Sequence, residues 1–154
     1  MNIIMRAMDL AYEYHYGQVN KHDGEDYMLH VARVAKNVEE AGGGSTEIAV
    51  AWLHDILEDT DIDFVYMRNQ LKPFEEFPGQ AAVICYAVQV ISKIRSGETL
   101  VEYYNYVKTC PPARFVKVYG DMKDNYGRSV QLPEGKLKTR LCAKYELGFE
   151  ILAY

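Results

Sequence analysis

The segment from His54 to Asp63 is acidic and holds no lysine or arginine; its acids are Asp55, Glu58, Asp59, Asp61 and Asp63. On a helix, Asp55 and Asp59 would be like-charged neighbours four residues apart, which costs about 0.2–0.5 kcal/mol. Glu58 and Asp59 would also lie near the helix C-terminus, where the macrodipole disfavours each anion by about 0.3–1 kcal/mol. Such violations concentrate at functional sites, and a bound divalent cation would make both arrangements favourable.

A solvated acidic helix end is the simpler alternative for this segment. His54 favours a metal site instead, because it precedes the acids on a helix that otherwise faces the core and shares a face with Glu58. His30 lies on the apolar side of an earlier helical stripe, and Asp121 ends an apolar stretch, where a salt bridge to Lys117 is its simplest role. Together, two imidazoles and two carboxylates would suit Mn²⁺, Zn²⁺ or Fe²⁺.

The elements that must position these residues are predicted to be helices, because apolar residues recur at i, i+3 and i+4 along almost the whole chain. Glycine, proline and capping residues separate the stripes. The predicted helices cover about 3–17, 27–41, 45–59, 64–71, 80–94, 98–108, 113–125 and 136–154, with Thr60 and Asp61 capping the fourth. The sequence therefore predicts one all-α domain of seven or eight helices over residues 1–154.

Composition limits the classes of protein that fit. A chain of 154 residues with 49% hydrophobic residues forms one globular domain, and a net charge of −5 disfavours nucleic acid and anionic membranes as primary partners. Cys85, Cys110 and Cys142 form no Cys-x-x-Cys motif. Neither a signal peptide nor a membrane span is predicted, so we expect a cytoplasmic protein with reduced thiols. We expect the basic residues 136, 138 and 140 to form a solvated face.

The ordered set His30, His54-Asp55 and Asp121 resembles the HD-domain metal phosphohydrolases. The flanking segments are similar to the hydrolase domain of RelA/SpoT-type enzymes: Ala11–Gln18, Gly24–His30, Ala51–Thr60, Val90–Lys93 and Val116–Asp121, with Asn125 four residues further on. The similarity covers about residues 7–128, in order and with the spacing of the family.

This resemblance implies one metal ion, usually Mn²⁺, held by His30, His54, Asp55 and Asp121. It also implies that Glu58 and Asp59 serve the attacking water and that Asn125 contacts the nucleotide. The family removes the 3′-pyrophosphate from ppGpp and pppGpp, which leaves GDP or GTP. No synthetase domain is expected, so the chain would be a small stand-alone hydrolase. No histidine follows His54, which favours a single metal.

Two departures from the family pattern concern the substrate. Lys21 and His22 stand where the family has Arg-Lys, and we expect them to contact substrate phosphates as point charges without the stacking surface of a guanidinium. The family sequence Asp-Arg-Leu-His-Asn is Asp121-Met122-Lys123-Asp124-Asn125 here. Two alternatives therefore stay open: a phosphohydrolase of another nucleotide, such as a deoxynucleoside monophosphate or NADPH, and a catalytically silent nucleotide-binding module.

Overall fold

The computed structural model describes residues 1–154, and almost all of its regular structure is helical. Its helices are α1 (Ile3–His15), α2 (Tyr27–Glu40), α3 (Ser45–Leu53), α4 (Ile56–Asp59), α5 (Phe64–Leu71), α6 (Gln80–Ile91), α7 (Leu100–Lys108), α8 (Pro111–Val116), α9 (Met122–Ser129) and α10 (Lys136–Leu152). A short 3₁₀ turn (Lys72–Phe74) follows α5, and a π-helical segment (Lys117–Asp121) joins α8 to α9. When α3 is counted with α4, and α8 with α9, the total is eight, so the predicted all-α fold is confirmed.

Helix α3 lies at the centre of the bundle because its sequence is apolar on every side. Ala49, Val50, Ala51 and Leu53 are all fully buried, and the helix packs against α1, α2, α6 and α8. The main core contains 31 buried residues drawn from most of the helices. The end of α3 therefore lies deep in the molecule, and His54 follows it directly. No helix is long and apolar enough to cross a membrane.

The predicted third helix is wrong in one respect that matters for the site. It does not run on to residue 59, because α3 ends at Leu53 and His54 and Asp55 form a turn before the one-turn helix α4. Glu58 and Asp59 thus belong to a separate short helix and do not end a long one. The cap of α5 also differs: Asp63, and not Asp61, accepts the backbone N–H of Tyr66 at 2.8 Å.

The π-helical segment brings Asp121 close to α2. A Cβ atom on Gly120 would lie 2.8 Å from Val34 Cγ1 and 2.8 Å from Val38 Cγ2, so only glycine permits this approach. Single π turns inside helices occur often at functional sites. Here the close packing places Asp121 beside His30, which lies one turn before Val34.

Candidate metal centre and its cavity

The turn after α3 fixes the orientation of His54. Its Nδ1 donates a hydrogen bond of 2.7 Å to the Ala51 carbonyl, one of the carbonyls that the end of a helix leaves without an intrahelical partner. Because Nδ1 carries this proton, the neutral ring presents the lone pair of Nε2. That Nε2 is buried, and although Asp55 Oδ2 lies 3.0 Å away, the two atoms do not meet in hydrogen-bond geometry. A buried nitrogen of this kind is suited to bind a cation.

The structure brings the four residues expected as metal ligands together. The side-chain ligand atoms of His30, His54 and Asp121 lie within 4.8 Å of one another. Asp121 Oδ1 is 3.3 Å from His30 Nε2 and 3.5 Å from His54 Nε2. Asp55 Oδ2 is 3.0 Å from His54 Nε2 and 3.8 Å from His30 Nε2.

The electrostatics of this cluster favour a positive charge at its centre. Burial lowers the pKa of His54, but Asp55 and Asp121 outweigh burial and raise that pKa well above its usual value. Burial raises the pKa of Asp121, yet Lys117 and the two imidazoles bring it well below the usual value. The unpartnered Nε2 and the two-nitrogen, two-carboxylate donor set therefore fit a divalent metal ion.

A second ring of side chains holds the expected ligands in place. Asp124 Oδ2 accepts from His30 Nδ1 at 2.7 Å, and Lys117 Nζ donates to Asp121 Oδ2 at 2.6 Å, the salt bridge that the spacing predicts. Asn125 Nδ2 donates to Asp121 Oδ1 at 2.8 Å. Such partners orient metal-binding histidines and carboxylates.

The sequence analysis did not identify the contact between Asp124 and His30. Asp124 follows Asp121 by three residues, so the two acids share a helix face, and that spacing was the available signal. In the same ring the Tyr27 hydroxyl donates to Asp55 Oδ2.

Glu58 and Asp59 lie on α4 and line the cavity above the cluster. The Glu58 carboxylate accepts the backbone N–H of Lys93, and partial burial together with Asp55 raises its pKa. Burial, Asp55 and Glu58 raise the pKa of Asp59 to about 6. Repulsion from the Asp55 carboxylate therefore acts on both acids although the helix is interrupted, and a raised pKa suits a group that exchanges protons during catalysis.

His30, Asp55 and Asp121 of this cluster line a cavity of about 560 Å³ that several basic residues also line. The basic residues that line it are Lys21, Lys93, Lys117, Arg140 and Lys144. Burial and the nearby Lys117 and Lys144 lower the pKa of Lys93 to about 7, so a bound anion would relieve repulsion in this wall. Arg140, which was expected on a solvated face, is exposed and also lines this cavity.

Lys21 and His22 also line the cavity, on the loop between α1 and α2 (residues 16–26). An antiparallel bridge between Val19 and Asp26 closes this loop at its base. Asn125 lines the same cavity. All three residues expected to contact the substrate therefore face one space with the metal cluster.

Comparisons with known proteins agree with this geometry. No family model matches the chain. The chain is 43% identical over 60 residues to a probable guanosine-3′,5′-bis(diphosphate) 3′-pyrophosphohydrolase of Synechocystis. The matched residues make up 39% of this chain and 8% of the relative. It is 34% identical over 101 residues to a guanosine-3′,5′-bis(diphosphate) 3′-pyrophosphohydrolase of Aquifex aeolicus. Those residues make up 66% of this chain and 14% of that relative. The matches thus span about a tenth of these longer proteins.

The structural comparison covers nearly the whole chain, whereas the sequence matches cover only part of it. A solved structure described as a metazoan ortholog of SpoT that hydrolyses ppGpp superposes with a TM-score of 0.78 and 20% identity, covering 99% of this chain and 86% of that one. The chain is similar to a RelA/SpoT-type HD hydrolase domain. The resemblance drawn from the motifs is therefore confirmed. In this chain, the cluster of His30, His54 and Asp121 is a group of side chains that could hold a divalent metal ion.

Proposed function

We propose that this chain is a metal-dependent guanosine-3′,5′-bis(diphosphate) 3′-pyrophosphohydrolase that converts ppGpp and pppGpp to GDP or GTP and pyrophosphate. One observation carries the proposal: a two-histidine, two-aspartate cluster adjoins a cavity that five basic residues also line. A site with both features suits a substrate with several phosphate groups. The similarity to RelA/SpoT-type hydrolases supports the choice of substrate.

In this proposal His30, His54, Asp55 and Asp121 hold one divalent ion, with Mn²⁺ as the first choice. When bound, such an ion lowers the pKa of a water molecule and polarises a phosphoryl oxygen. Hydrogen bonds to Ala51 and Asp124 keep the two imidazoles oriented toward the same point.

Proton transfer in this proposal belongs to Glu58. Its carboxylate is fixed by the Lys93 backbone N–H, and its raised pKa suits a group that accepts a proton from the attacking water. Asp59, one residue further, orients that water or shares its proton. The water oxygen bonds to the phosphorus on O3′, the P–O3′ bond breaks, and the leaving O3′ is protonated.

The basic walls neutralise the substrate. Lys93 lies just after α6, Arg140 and Lys144 lie one turn apart on α10, and Lys21 and His22 lie on the α1–α2 loop. A nucleotide with separate 5′- and 3′-diphosphates presents two anionic groups, and two cationic regions can hold both. Asn125 is proposed as a nucleotide contact that also supports Asp121.

The test is to incubate the protein with ppGpp and Mn²⁺ and to separate the products by anion exchange. We expect GDP and intact pyrophosphate, because the two 3′-phosphates leave as one unit. Orthophosphate as the first product, or no turnover, would contradict the proposal.

A different phosphorylated nucleotide is the second candidate, and Lys21 favours it. Lysine binds phosphate as a point charge but lacks the planar group that stacks on a base. Turnover of ppGpp, its adenine analogue, NADPH and a deoxynucleoside monophosphate should be compared in wild type and Lys21→Arg. We expect ppGpp to be preferred and Lys21→Arg to sharpen the preference for guanine. Faster turnover of NADPH or of the monophosphate would favour the second candidate.

A further inference from the structure

An ion-pair network outside the proposed ligand set joins the α1–α2 loop to His30. Arg33 is at its centre. Its guanidinium donates two hydrogen bonds of 2.9 Å to the Glu25 carboxylate. It also donates one of 2.6 Å to Asp124 Oδ1 and one of 3.2 Å to Asp124 Oδ2. Asp124 in turn holds His30 Nδ1 at 2.7 Å. Glu25, a loop residue, is thus linked to His30 through only two side chains.

The geometry of this network is well defined. The Asp124 side chain is 7% exposed, while Glu25 and Arg33 are 27% and 36% exposed. The planar guanidinium matches the Glu25 carboxylate with two parallel bonds, an arrangement that fixes direction as well as distance. Arg128 on α9 adds a second cation, 3.0 Å from Glu25 Oε2, and also binds Asp23 of the loop. Two arginines from two helices therefore hold two loop acids.

We propose that Arg33 is a positioning residue that couples the α1–α2 loop to the orientation of His30, so that Glu25 contributes to metal affinity without touching any proposed ligand. The proposal rests on the proposed function for the identity of the ligands. Lys21 and His22 lie on the same loop, so a substrate that orders the loop also strengthens metal binding. By linkage, the metal strengthens substrate binding by the same factor.

The size of the effect follows from the role of Asp124. Loss of a carboxylate that orients a metal-binding histidine typically costs about 10–100-fold in metal affinity. Without Arg33, the cation left to Asp124 is Arg128, whose Nη1 is 3.9 Å from Oδ2, and the carboxylate is free to turn away from His30. We therefore expect Arg33→Gln to weaken metal binding by about tenfold. Glu25→Gln removes only the two hydrogen bonds that fix the guanidinium, so a smaller loss of metal affinity than in Arg33→Gln is expected.

The experiment is a double-mutant cycle on Mn²⁺ affinity, measured from the electron paramagnetic resonance signal of free Mn²⁺. It compares wild type, Glu25→Gln, Arg33→Gln and the double variant. If Arg33 transmits the effect, Glu25→Gln weakens binding in the wild-type background and has no further effect in the Arg33→Gln background. Lys36→Gln is the matched control, because it removes a cation from the same helix at an exposed pair with Glu40.

Three results would overturn the coupling while the wild type still binds Mn²⁺. They are unchanged affinity in Glu25→Gln, additive losses in the double variant, or an equal loss in Lys36→Gln. If Arg33→Gln does not fold, Arg33→Lys replaces it: lysine keeps the charge but cannot hold both carboxylates, so the Glu25→Gln effect should still disappear.

A metal-free measurement separates this inference from the proposed function. In ¹⁵N-labelled protein without metal, the His30 Nδ1–H signal should exchange slowly in wild type and faster in Glu25→Gln and Arg33→Gln. An unchanged signal in both variants would overturn the coupling. Failure of the wild type to bind Mn²⁺, with the signal behaving as expected, would contradict only the proposed function.

Discussion

Glu58 and Asp59 are adjacent on one turn of helix but differ in what holds them. Both side chains reach solvent, but Glu58 has a fixed backbone donor at Lys93, whereas partial burial, Asp55 and Glu58 raise the pKa of Asp59. The first arrangement favours a positioned base and the second favours a proton reservoir. The two roles lead to different expected effects of substitution.

Glu58→Gln should lower turnover of ppGpp by about 10²–10⁴-fold, the usual effect of losing a positioned acid–base group. Mn²⁺ affinity should change little, because Glu58 is outside the proposed ligand set. Steady-state rates and an Mn²⁺ titration measure the two effects. Glu39→Gln, an exposed glutamate on α2, is the control and should match wild type. Near wild-type turnover of Glu58→Gln across the pH range would assign proton transfer to another group.

The raised pKa of Asp59 predicts a pH-dependent loss of stability in the metal-free protein. The carboxyl has an ordinary pKa of 3.8 and a pKa of about 6 in the folded state. The folded protein therefore holds this proton more tightly than the unfolded chain does. Stability falls as pH rises through the window between these two values, and the loss is complete above it.

Asp59→Asn removes that loss. The melting temperature of the metal-free variant should exceed that of wild type at pH 8, and the difference should shrink at pH 4.5. Thermal unfolding followed by circular dichroism in the presence of a chelator measures this. An equal difference at both pH values would show that the Asp59 carboxyl is not the source.

At the scale of the elements, the sequence predicted most helix spans but not where two of them are interrupted. The apolar stripe of α3 continues at Ile56, and no glycine or proline marks the turn at His54 and Asp55. The turn agrees with tertiary contacts that local periodicity does not encode, such as the hydrogen bond from Tyr27 to Asp55. The π-helical segment was missed for the same reason, because it depends on the packing of Gly120 against α2.

Gly120→Ala tests whether that close packing positions the site. The added methyl group would lie within 2.8 Å of two valine side chains on α2, and such overpacking costs about 1–3 kcal/mol of unfolding free energy. Because His30 lies on α2 and Asp121 follows Gly120, Mn²⁺ affinity should fall as well. Chemical denaturation and Mn²⁺ titration measure both effects.

Gly127→Ala is the matched control on α9, because a Cβ there meets no atom within 4 Å. Alanine in place of a helical glycine should stabilise the protein by about 0.5–1 kcal/mol and leave Mn²⁺ affinity unchanged. If Gly120→Ala behaved like Gly127→Ala, the proposed role of the close contact would be wrong.

At the scale of the whole molecule, net charge and local charge have opposite signs. The chain carries −5 overall, yet five basic residues line the cavity. The net charge disfavours nucleic acid as a primary partner, but it does not place Lys144 and Arg140 at the cavity. Which face of α10 meets the cavity depends on tertiary packing. The proposed ligand set was accessible because the family spacing singled out four residues, whereas the contacts of Arg33 and Asp124 depend on the packing of α2 against α9.

The central claim is that the His30, His54, Asp55 and Asp121 cluster holds a divalent metal required to cleave ppGpp. The most direct measurement is ³¹P NMR of ppGpp mixed with chelator-treated protein, recorded before and after addition of Mn²⁺, for wild type and His54→Ala. We predict no change before Mn²⁺, the appearance of GDP and pyrophosphate signals after it in wild type, and no turnover by His54→Ala. Turnover without metal, or equal rates in the two proteins, would contradict the claim.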